Sequence, residues 1–124
     1  MSEQPQVYTV RITDTADRML LKIRKKYGKK TYTSLRVLIL DLESEPDKKG
    51  EALKPPLAGL HSLHYSRFRV IFRINQGVAE VITVAVGHHE TGSRDDIYEV
   101  VQRLVRSGII DIERLSDPGT SANE

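Results

Sequence analysis

Three arginines and four histidines supply most of the reactive chemistry in this chain. Arg67, Arg69 and Arg73 fall on odd positions, while the even positions between and after them are Phe68, Val70, Phe72 and Ile74. In a strand, successive side chains point to opposite faces. One face is therefore apolar and the other carries guanidinium groups, which stay charged and offer paired donors to a phosphate. His61 and His64 precede the arginines, and His88 and His89 follow Gly87 at the end of the apolar run 78–86. Imidazole exchanges protons near neutral pH, so either of the last two is equipped to act as an acid or a base. Adjacent residues at a strand end diverge, so only one of His88 and His89 is expected on the arginine face. That divergence, in a chain without cysteine, argues against a metal site. The structural alternatives are an exposed arginine face and histidines that hydrogen-bond within the fold.

The elements that must position these residues follow from periodicity. Tyr8, Val10 and Ile12 share one face of a strand over 7–13. Asp14 is the expected N-cap of a first helix, in which Ala16, Leu20, Ile23 and Tyr27 recur until Gly28 stops it. A second helix is expected from near Thr33, with Leu35, Leu38, Ile39 and Leu42 on one side, ending before Pro46. Residues 47–56 read as a polar, proline-broken loop. Strands are expected over 57–65, 67–74 and 78–86, joined by turns at Tyr65-Ser66 and Asn75-Gln76-Gly77. Ser93 and Asp96 resemble a capping pair for a last helix carrying Ile97, Val101, Leu104 and Val105. The order β-α-α-β-β-β-α predicts an α+β domain with a largely antiparallel, four-stranded sheet. Two N-terminal helices would cover one face, and the other would be a polar concave side bearing the arginines.

Length and composition bound the function. The 124 residues make one domain, expected over 1–110, and a hydrophobic fraction of 39% suits a globular core. The absence of cysteine excludes disulfide frameworks, thiolate metal centres and cysteine nucleophiles, and suits a reducing, cytoplasmic setting. No apolar run approaches the roughly 18 residues that a membrane span requires, and the start MSEQPQVY is no signal peptide. Through Ile110 there are 18 Lys and Arg against 13 Asp and Glu, a body of +5. Residues 111–124 hold one arginine against four acids and are expected to form a disordered acidic tail. A basic body suits nucleic acid, an anionic surface or an acidic protein partner.

Against this background the segment LAGLHSLHYSRFRVIFRI, the strand VITVAVGHH and the opening YTVRITDTADRMLLKI resemble the RelE/ParE superfamily. These are toxins of bacterial type II toxin–antitoxin systems, and the resemblance spans about residues 7–106 with the same order of elements. It implies the small RelE-like fold and a cognate antitoxin, with which the toxin forms a complex that often binds operator DNA. It also implies one of two activities. RelE-like members cleave messenger RNA, commonly on the ribosome, without a metal or other cofactor. ParE-like members poison DNA gyrase and lack the nuclease site, and a degenerate member would bind its antitoxin only.

RNA cleavage through the ribose 2′-OH needs a base, cations for the phosphorane and an acid for the leaving 5′-oxygen. The resemblance assigns the phosphorane to Arg69, in the context Phe68-Arg69-Val70, and sets His88 and His89 at the strand end where nuclease members carry Arg, Lys or His. One of these would transfer a proton, with His64, which no family position supplies, equipped as the base by its own imidazole. Tyr98 matches the tyrosine near the start of the family's last helix, where it would stack on a base or approach the phosphate; packing between helix and sheet is the alternative. Arg67, Arg73 and His61 would add attraction for RNA, as would Lys25 and Lys26 within the basic run 22–30. Histidines at 61 and 64 depart from the lysines or glutamate usual on that strand.

Overall fold

A computed structural model describes residues 6–115. Its elements run β1 Thr9–Ile12, α1 Asp14–Tyr27, α2 Lys29–Leu40, α3 Pro46–Lys49, β2 Glu51–Ala52, β3 His61–Tyr65, β4 Phe68–Asn75, β5 Glu80–His88, α4 Ile97–Arg106 and α5 Ile112–Leu115. The strands form one sheet in the order β1-β5-β4-β3-β2. Only β1 and β5 pair in parallel; the other neighbours are antiparallel. The α+β class matches the sequence expectation, with a fifth strand in place of the expected four. That strand is the two-residue β2, which pairs with β3 from within the supposed loop and is too short to show a period.

Local chemistry moves several boundaries. Thr13, not Asp14, caps α1: its hydroxyl accepts from the Ala16 N–H at 3.2 Å. Gly28, at φ +101°, is the single residue between α1 and α2, so α2 begins at Lys29 and not near Thr33. Residues 53–60 are a loop, and β3 starts only at His61. Asp96 alone caps α4, accepting from the Tyr98 N–H at 3.0 Å. Beyond the expected boundary at 110, Ile112 of α5 packs against buried residues. The remaining part of the expected tail, 116–124, lies outside the described residues.

Both faces of the sheet are covered, which corrects the expected open polar side. On one face Phe68, Val70, Phe72, Val81 and Val86 pack against Ala16, Leu20 and Ile23 of α1 and Leu35 and Ile39 of α2. On the other, Ile71, Ile82, Val84 and Ala85 pack against Ile97 and Val101 of α4 and against Leu57, Leu60 and Ile110. A buried side chain of this size contributes about 1.5–3 kcal/mol, so neither face could be left to solvent cheaply. The reason lies in β5, which is apolar at consecutive positions and serves both cores. Polar residues are left at the margins of the second core. No helix among the described residues is long and apolar enough to cross a membrane.

Gly87 is where α4 meets the sheet most closely. A Cβ placed there would lie 2.7 Å from Ile97 Cδ1 and 3.3 Å from Ile97 Cβ. Gly87→Ala is expected to destabilise the fold by about 1–3 kcal/mol through overpacking, read as a lower urea midpoint at unchanged slope. Trimming the neighbour as well, with Ile97→Val, should recover part of that loss.

Candidate functional site

β3 and β4 place His64 directly opposite Arg69, so both side chains leave the same face of the sheet. On the other side of β4, Arg69 is paired with Gly87, which has no side chain to crowd it. Arg69 Nη1 donates to the carbonyls of Ser66 (3.1 Å) and Phe68 (2.9 Å), which fixes the guanidinium over the β3–β4 turn. Its Nε and Nη2 have no protein partner among the described residues, so donors remain for an anion.

The contact of Ile97 with Gly87 brings the first turn of α4 against the same margin of the sheet. Tyr98 then reaches back to β3, where its hydroxyl lies 2.8 Å from Ser62 Oγ. Asp96, only 5% exposed, sits beneath His89. Its Oδ1 accepts from the Glu90 N–H at 2.6 Å and lies 2.6 Å from His89 Nδ1, while its Oδ2 caps α4. Burial raises the pKa of the Asp96 carboxyl, but the bonds from Glu90, His89 and Tyr98 outweigh it and hold the group below its ordinary value. Asp96 is therefore the acceptor, and His89 donates from Nδ1. A carboxylate on one ring nitrogen fixes orientation and tautomer, and leaves Nε2 for chemistry. The rings of His89 and Tyr98 meet edge to face at 5.1 Å.

These groups surround one cavity of about 260 Å³, lined by Lys49, Glu51, Ser62, His64, Arg69, His89 and Tyr98. Four sequence candidates, Arg69, His64, His89 and Tyr98, are thus brought together. Lys49, Glu51, Ser62 and Asp96 were not singled out as site residues. Ser62 had a signal, since it lies two residues before His64 and shares its face. Asp96 was legible only as a cap. Lys49 and Glu51 depend on α3 and β2, and Lys49 is tied to the Asp41 carbonyl at 2.7 Å.

The other candidates lie elsewhere. His88 faces α1, with its ring 5.9 Å from that of Phe68 and 6.3 Å from that of Tyr27. His61 stacks on Phe72 at 5.5 Å, and burial, with the nearby Arg73 charge, pushes its pKa below the ordinary value. Arg73 donates to the Gly59 carbonyl at 2.7 Å and lines a separate cavity with His61. Arg67 is exposed in the β3–β4 turn, and Lys25 and Lys26 are exposed on α1. Among the described residues no three His, Asp or Glu side chains converge to hold a metal ion.

A family model described as the ParE toxin of the type II toxin–antitoxin system parDE matches residues 10–92. The chain is 33% identical over 91 residues to Toxin RelG of Mycobacterium tuberculosis, covering 73% of this chain and 95% of that protein. A solved structure of the toxin–antitoxin complex RelBE2 from the same organism matches with a TM-score of 0.62 and 29% identity, over 71% of this chain and 98% of the other. A mutant of the E. coli toxin RelE in the free state shares the fold, with a TM-score of 0.53 and 18% identity, over 79% and 98% of the two chains.

The Asp96 contacts carry a pH signature. Its folded pKa lies below the reference 3.8, so the stability it contributes is fully present above that value. It is lost as pH falls through the folded-state value. Asn caps helices as well as Asp, so Asp96→Asn removes the charge and keeps the cap. The variant is expected to be about 1–3 kcal/mol less stable at pH 7, the scale of hydrogen bonds to a charged acceptor. Urea unfolding from pH 7 down to pH 3 should show this difference shrinking.

Proposed function

Because the chain belongs to the ParE toxin family of type II toxin–antitoxin systems, we propose that it is a RelE-type endoribonuclease, which inhibits translation by cutting messenger RNA on the ribosome. The observation that carries this reading is the cavity where Arg69, His64 and Tyr98 meet a His89 backed by buried Asp96. The free donors of Arg69 take the scissile phosphate, and His64 accepts the proton of the adjacent 2′-OH. The 2′-oxygen attacks phosphorus, and Arg69 and Lys49 stabilise the charge on the phosphorane. His89 gives the proton on Nε2 to the departing 5′-oxygen, while Asp96 offsets the positive charge of the ring. The products are a 2′,3′-cyclic phosphate and a 5′-OH. Tyr98, its hydroxyl held by Ser62, offers its ring to a base.

These steps draw on side chains of the protein and need no cofactor. Arg67, Lys25 and Lys26 lie outside the cavity and supply long-range attraction for RNA, whereas His88, His61 and Arg73 are engaged in the fold. The protein works in the cytoplasm, with messenger RNA and the ribosome as targets. A cognate antitoxin neutralises it, and the pair binds operator DNA. A second reading, inhibition of DNA gyrase, draws on the ParE description of the matching family model.

Inducible expression in bacteria, with mapping of new 5′ ends across the messages, separates the two. Under the nuclease reading, cleavage appears within translated frames, and Arg69→Ala lowers it about 10²- to 10³-fold and relieves growth arrest. His89→Ala should cost about 10²- to 10⁴-fold. Arrest with intact messages that survives Arg69→Ala would favour gyrase, and no arrest at all would leave a toxin that only binds its antitoxin.

A further inference from the structure

His89 stands between two cavities. Opposite the one already described, a second of about 450 Å³ opens between the segment after β5 and the outer side of α4. Besides His89 and the Asp96 carboxylate that holds it, the cavity is lined by Thr91, Ser93, Arg94, Glu99 and Arg103. Arg94 and Arg103 come from different segments, and among the described residues neither guanidinium has a hydrogen-bond or ion-pair partner. Even Glu99, one turn before Arg103 on α4, forms no ion pair with it. The Asp96 oxygens are taken by His89 and by the Glu90 and Tyr98 N–H groups. Two guanidinium groups without a direct partner thus face this concavity and are suited to an oxyanion, and the volume suits a ligand of nucleotide size.

The orientation of His89 links this cavity to the reaction. Nδ1 is occupied by Asp96 at 2.6 Å, so Nε2 is the nitrogen that meets substrate. Nε2 lies 3.5 Å from Thr91 Oγ1, and Thr91 lines the second cavity but not the first. In the cleavage step the P–O2′ bond forms and the P–O5′ bond breaks, with the proton of Nε2 passing to O5′. That oxygen belongs to the nucleotide on the 3′ side of the cut. The leaving nucleotide must therefore lie towards Thr91.

Resting on the nuclease reading, we infer that the second cavity is the subsite for the nucleotide immediately 3′ of the scissile bond. Arg94 and Arg103 bind its 3′-phosphate. Glu99 adds an acceptor suited to the exocyclic amino group of a base. The substrate is thus an RNA strand that continues past the cut, held on both sides of the reacting phosphorus.

The test uses the purified protein and ribosomes programmed with two messages. Both end at the nucleotide after the mapped cut, one with a 3′-hydroxyl and the other with a 3′-phosphate. The wild type is expected to cut the phosphorylated message about 10- to 100-fold faster in single turnover, the ratio that charge-assisted hydrogen bonds to phosphate provide. In the double variant Arg94→Gln with Arg103→Gln, that ratio should fall to about threefold or less, at an unchanged unfolding midpoint. A double variant that keeps the full ratio, or a wild type that shows none, overturns the subsite and leaves the nuclease reading standing. A wild type that cuts neither these messages nor the full-length one overturns both.

Discussion

Opposite the Ile71–Phe72 step of β4, strand β5 carries one residue more than its partner: Ile71 pairs with Ala85 and Phe72 with Thr83, leaving Val84 between them. An inserted residue reverses the face of every side chain after it. Ile82 and Val84 point towards α4, and strict alternation from them would put Val86 and His88 on that side. With the bulge, Ala85, Gly87 and His89 take it instead, while Val86 and His88 turn to α1. The pairing of His89 with Asp96, the close seat of α4 on Gly87 and the reach of Tyr98 to Ser62 all depend on this shift of register.

The site therefore occupies the border of a packed layer. Its floor is β3 and β4, whose opposite faces are buried, and its wall is the capped start of α4. Three side chains of the proposed site are each held by a neighbour that is itself fixed: Arg69 by the carbonyls of a tight turn, His89 by a buried carboxylate, Tyr98 by a hydroxyl on β3. Such groups need little reorganisation when charge develops, which is what makes a polar site more effective than the same groups in water. Asp96 links the two roles, because one carboxylate caps the helix and orients the histidine.

Alternation through β4 was enough to place Arg69 apart from Phe68, Val70 and Phe72, since seven consecutive positions keep one period. The pairing of β3 with β4 followed from the tight turn at Ser66, and it carried His64 to the same place. The choice between His88 and His89 was not legible, because a bulge in a strand that is apolar on both sides of it leaves no mark in the hydrophobic pattern. Nor was β2 visible, as two residues have no period. Asp96 met the rule for a capping residue and so concealed its second partner, which only the path of residues 89–96 brings within 2.6 Å. The polar face was overestimated for a related reason. Arginines at Arg69 and Arg73 suggested a continuous stripe, but Ile71 between them belongs to the second core.

The parallel pairing of β1 with β5 imposes an order on biosynthesis. Thr9 is matched with Glu80, so the first strand made has no place in the sheet until the last strand is present. Helices α1 and α2, in contact across a one-residue link, need nothing so distant and can pack while the chain is still short. His89, Asp96 and Tyr98 come later still. A nascent chain thus acquires its helical hairpin before the strand and loop that carry the candidate site.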